Sequence, residues 1–147
     1  MHPLWRFTPW LTRLILGAAT LIFMLIGVKY LTDPVRAAAS FKISLGSAAA
    51  ITSMRVGFGA FPLGFAIVLA SCLVSTSRVL PGLYFVAKIL GAATAARVLG
   101  IVVDGAAPES VFLLRPELAL LALAILGVWL ESGRRRHQRS ERLGSMT

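Results

Sequence analysis

The chain has 147 residues, of which 57% are hydrophobic and 14% charged, and its formal charge is +9, with a mean hydropathy of +0.81. Too few polar residues are present to coat a water-soluble core of this size, which argues against an ordinary globular domain. The apolar residues gather into four blocks of about twenty, the length that crosses a hydrocarbon core, without the alternation of a membrane barrel. Backbone groups in lipid must be satisfied within each segment, so the expected fold is all-α, an integral membrane four-helix bundle.

Residues 1–12 carry Trp5, Arg6 and Trp10 just ahead of an apolar run, a composition suited to the headgroup region. The first span is expected at about 13–30, with Lys29 able to snorkel outward. A cleaved signal peptide would need its small-residue site near the end of the apolar run. Ala37, Ala38 and Ala39 lie too far beyond Val28 for that, so the segment reads as a retained anchor. Asp33 and Pro34 open a connection of mixed apolar and basic residues through Gly46, which suits a short helix on the membrane surface.

The second span is expected at about 48–75. It holds Arg55 near its start, then Gly57, Gly59, Pro62 and Gly64. Small residues let helices approach closely, and Pro62 frees a backbone carbonyl and favours a kink. Ser75 to Arg78 is a polar turn, and the third span follows at about 79–103 with Lys88, Gly91, Arg97 and Gly100. Lys88 lies near the midplane and either snorkels or marks a cavity. Asp104 and Gly105 close this span. The fourth is expected at about 111–130 with Glu117 inside it, and Pro116 is a candidate first helical residue, which would put Glu117 in a first turn. Residues 133–147 form a basic tail with five arginines between Arg134 and Arg142.

Four spans put both termini on one side, with Arg6, Arg13, Arg78 and the tail arginines. Arg36 and Lys42 fall on the other side, and 105–110 has no basic residue. The bias places both ends in the cytoplasm. The tail arginines then serve as a topology signal in contact with anionic lipid. Nucleic acid is not an expected partner, because no aromatics interleave with the arginines.

Ionisable groups inside a span are costly and mark sites. On this topology Arg55, Arg97 and Glu117 all fall about 10 Å below the outer surface. Asp104 stands on the face of Arg97 and Gly100, at i+7 and i+4 respectively. Arg55, Arg97, Asp104 and Glu117 are therefore the expected ligand-binding residues or structural clasp, and Gly57, Gly59, Gly64, Gly91 and Gly100 the expected packing positions. The single Cys72 and the widely separated His2 and His137 give no disulfide, metal site or nucleophile-base pair, so no catalytic residue, metal or cofactor is expected.

Asp33-Pro34, Arg55-Val56-Gly57-Phe58-Gly59 with Gly64, Ala96-Arg97, Asp104-Gly105 and Glu117 together resemble the bacterial membrane proteins of domain-of-unknown-function family 4345, over roughly Leu14 to Leu130. The family typically follows its arginine with a Tyr-Gly-Gly-like segment. Val56-Gly57-Phe58-Gly59 departs from that and lacks the tyrosine hydroxyl. The resemblance implies a four-helix inner-membrane protein, maps Arg55, Arg97, Asp104 and Glu117 onto the family's polar pattern, and supplies no activity. The leading expectation is a non-catalytic binding or accessory protein for an anionic lipid headgroup or small ligand, with a second copy or another membrane protein as its protein partner. A small transporter or channel subunit and a membrane enzyme or redox accessory are the alternatives.

Overall fold

Capping, proline placement and short-range ion pairs set where the helices of this chain begin and end. The computed structural model describes residues 4–144, with side chains described for 7–141. The outermost residues of the expected N-terminal segment and tail, including His2, lie outside the described residues, as do the side chains of Trp5, Arg6 and Arg142. Among the described residues the chain is α-helical with no strand. Four helical stretches are long and apolar enough to cross a membrane: Phe7–Thr32, Ala48–Leu73, Thr76–Asp104 and Pro108–Glu141. The protein is thus an all-α membrane protein with four helices of membrane-spanning length. Large apolar side chains such as Leu14, Ile67, Leu99 and Phe112 are exposed along these helices, as lipid-facing surfaces require.

The chain divides into two compact units, one of residues Gly17–Ser71 and one that joins the residues up to Leu16 with those from Cys72 onward. Helix α1, Leu4–Thr32, runs through the boundary. It starts well before residue 13, because residues ahead of the lipid core continue the helix.

In the unit Gly17–Ser71, the second part of α1 meets the second crossing at backbone range. A Cβ placed on Gly27 would lie 2.8 Å from the Leu63 backbone nitrogen and 2.9 Å from the Gly59 carbonyl oxygen. Phe23 packs edge-on to Phe65 at 5.8 Å, and Tyr30 stacks obliquely on Phe58 at 5.4 Å. Asp33 caps α2, Pro34–Ala39, by accepting from the Arg36 amide at 3.0 Å, with Pro34 pre-set for the first helical position. Only this portion of the first connection is helical. Lys42, at φ 59°, turns the chain back.

Ser47 caps α3, Ala48–Met54, through the Ala50 amide. The backbone then widens into a π-helical turn over Arg55–Ala60 and continues as α4, Phe61–Leu73. Pro62 explains the widening. It has no N–H to offer the preceding turn, and the neighbouring Phe61 amide instead donates five residues back to the Val56 carbonyl. The crossing stays continuous through the turn, and it ends at Leu73, short of Ser75.

In the other unit a 3₁₀ turn, Thr76–Arg78, leads into α5, Val79–Asp104. Gly105, at φ 96°, ends that helix in a conformation that favours glycine. The last helix, α6, runs Pro108–Gly144 and packs along α5. The helix that carries the expected fourth span of 111–130 extends beyond it at both ends. Pro108 starts α6, Glu109 occupies its first turn, and Pro116 lies inside the helix, so Glu117 is not a first-turn residue. The tail continues as helix to Gly144 because Glu131 pairs with Arg134 and Arg135 one turn on. Leu16, Val79, Leu83, Val86, Leu90 and Ala124 form the core of this unit. Leu83 packs on Gly127, and Leu16 and Cys72 pack on Gly82.

Candidate functional site

Arg97 on α5 and Glu117 on α6 face each other across the hairpin. The Arg97 Nε donates to Glu117 Oε2 at 2.7 Å and Nη2 donates to Oε1 at 2.5 Å, a two-pronged pairing. Their side chains remain 27% and 20% exposed. An arginine holds a carboxylate this way because its planar fork matches the two oxygens, and the short distances are those of charge-assisted bonds. Two prongs fix the rotation of α5 against α6 as well as neutralising the charges. The Nη1 group of Arg97 makes no hydrogen bond among the described residues, which leaves a donor facing outward from the pair.

Asp104 does not join this pair. It ends α5 as an exposed residue with no ion pair among the described residues, although its Oδ2 would lie 3.7 Å from a Cβ on Gly100. Arg55 opens the π turn in the unit Gly17–Ser71, exposed and without an ion pair among the described residues. Lys88 is exposed on α5. Of the glycines singled out in the sequence, Gly59 is in tight contact: a Cβ there would meet Leu31 at 2.9 Å. Gly57, Gly64 and Gly91 have open space around them. Gly27, Gly82 and Gly127 make the other close approaches. Glycine spacing alone does not tell which face of a helix meets a neighbour. No group of histidine, cysteine, aspartate and glutamate able to hold a metal occurs among the described residues.

A second charged centre lies at the other end of the α5–α6 pair, where the sequence indicated a topology signal in contact with anionic lipid. Glu131 is 1% exposed. Arg134 grips it through Nε at 3.0 Å and Nη2 at 2.5 Å, and Arg135 adds Nε at 3.0 Å. The Arg134 Nη1 reaches Gln138 Oε1 at 3.2 Å. The Arg135 Nη2 donates to the carbonyl oxygens of Thr76 and Ser77, both at 3.0 Å, which ties α6 to the 3₁₀ turn. From α1, Arg13 Nη2 donates to Thr76 Oγ1 at 3.1 Å, while its Nε is buried with no hydrogen-bond partner. The i, i+3 and i, i+4 spacing of Glu131, Arg134 and Arg135 was a readable signal for this cluster. Its partners Thr76 and Arg13 lie 59 and 63 residues away from those they touch, which no local pattern reveals.

No curated protein and no solved structure matches the chain. Residues 11–130, from the first crossing through most of the last, match Domain of unknown function (DUF4345), and the chain belongs to that family.

Proposed function

We propose that the protein is a non-catalytic binding or accessory protein of the bacterial inner membrane, with both termini in the cytoplasm. In this reading Arg97, positioned by Glu117, binds an anionic lipid headgroup or a small anionic ligand. The observation that carries it is the two-pronged Arg97–Glu117 pair, set inside two apolar crossings yet still partly exposed. A two-pronged pair satisfies both carboxylate oxygens with two of the three guanidinium nitrogens. This one keeps a guanidinium nitrogen free for an acceptor. The orientation follows from the excess of arginine near the termini and in the tail over the connections on the far side.

The test compares Arg97→Ala and Glu117→Ala for thermal stability and for lipid that survives purification, identified by mass spectrometry. The expected outcome is that both lose stability while only Arg97→Ala loses its bound anion, since Glu117→Ala frees the guanidinium. Equal loss of stability with no molecule bound to either the parent or the variants would leave a structural clasp and nothing more. A transport or channel role is the second reading. The π turn at Arg55–Ala60 favours it, because widened turns of this kind recur at functional sites. Flux through reconstituted vesicles, absent in Arg55→Ala, is the result that reading requires.

A further inference from the structure

The arginine cluster around Glu131 holds more positive charge than its own contacts consume. Arg13, Arg134, Arg135 and Arg139 stand with a single carboxylate, and that carboxylate is already fully engaged with Arg134 and Arg135. Arg139 forms no hydrogen bond or ion pair among the described residues, and Arg13 Nε is buried without one. Arg134, Arg135, Gln138 and Arg139 border an open depression with Thr76 and Ser77 on its other wall, about 530 Å³ in volume. Glu131 and the carbonyl oxygens of Thr76 and Ser77 hold the Arg135 guanidinium in place in advance, so an incoming anion need not order it.

Depth adds an independent argument. Trp10 and Trp129 are 77% and 71% exposed, and they flank the cluster in sequence, beside Arg13 and Glu131. Exposed tryptophan on a membrane helix marks the headgroup level. The depression therefore lies where phosphate groups of the bilayer lie. It is also separate from the Arg97 pair, roughly 30 Å further along α5 by helical rise. The family match ends at residue 130, one residue before Glu131, so the tail half of the cluster falls outside the matched region.

We propose that this depression binds a phosphate group on the guanidinium groups of Arg135 and Arg139 and the hydroxyl of Ser77, the phosphate coming from an anionic phospholipid headgroup or from free phosphate. Arginine forks and hydroxyl donors suit phosphate oxygens, and the unbalanced positive charge disfavours a cationic or neutral ligand.

The full chain in detergent is titrated by calorimetry with short-chain phosphatidylglycerol, short-chain phosphatidylcholine and inorganic phosphate. Saturable binding of phosphatidylglycerol that inorganic phosphate does not displace identifies the lipid source. Saturable binding of inorganic phosphate, with no gain from the glycerolipid, identifies the free anion. In either arm, Arg139→Gln and Arg135→Gln each weaken binding about fivefold, the effect of one basic residue at a membrane surface. Arg36→Gln, on α2, leaves it unchanged. Arg139 makes no contact that the fold uses, so Arg139→Gln retains the parent melting temperature and keeps the test independent of folding. Binding that is indifferent to Arg139→Gln overturns the proposal, as does equal affinity for phosphatidylcholine or no binding by any of the three. An oligonucleotide that binds with the same arginine dependence while all three fail overturns it in favour of nucleic acid.

Discussion

Glu131 and Glu117 are both glutamates on α6 that accept from arginine, yet the cost of losing each differs because their surroundings differ. Glu131 is 1% exposed and serves two guanidinium groups. Glu131→Gln strips the charge that both depend on and should destabilise the protein by about 3 kcal/mol, measured by denaturation in detergent. Glu117 and its partner keep 20% and 27% of their surface open and form a single pair, so less is stranded when it is lost. Glu117→Gln should cost about 1–2 kcal/mol. The double variant Arg97→Met with Glu117→Leu should be more stable than either single change, since no charge is left stranded. The sequence placed Arg97 and Glu117 at one depth, which made them candidate partners. It could not choose Glu117 over Asp104, because that choice depends on how far α5 and α6 rotate about their own axes. The Glu131 cluster was less legible, since a run of arginines after a hydrophobic segment has the same composition whether it is solvated or folded onto a distant turn.

At the scale of helices, the close approaches define where substitution is tolerated. A methyl group on Gly27 would strike backbone atoms of Leu63 and Gly59, which cannot swing aside. Gly27→Ala should therefore cost about 1–3 kcal/mol as the two helices are forced apart. Gly64 has nothing within 4 Å of its missing Cβ. Gly64→Ala should be neutral or stabilising by up to about 1 kcal/mol, from helix propensity alone. Thermal melts of both variants against the parent check the contrast. Hydropathy made the four crossings plain because lipid length fixes the size of an apolar block. It left the ends and the internal register obscure. Pro108 and Gly105 bound the last turn through backbone geometry, Pro62 converts one turn to π, and the tail's helix rests on ion pairs, none of which changes an average of apolar content.

For the whole molecule, an even number of crossings has a consequence that can be read in cells. With Cys72 replaced by serine, a single cysteine at Ser40→Cys should react with a membrane-impermeant maleimide added from outside. One at Ser140→Cys should react only after the membrane is opened. Labelling of both from the same side would rule out four crossings with cytoplasmic ends. The last crossing has a further property that its length imposes. Its 37 residues extend about 55 Å, well beyond the roughly 30 Å of hydrocarbon, and Glu117 and Glu131 stand on it about 21 Å apart and within about 40° of the same azimuth. Such a helix behaves as a stiff shaft with a handle at each end. The Arg97–Glu117 pair and the arginines gathered round Glu131 are thus carried on one continuous helix, with no loop between them.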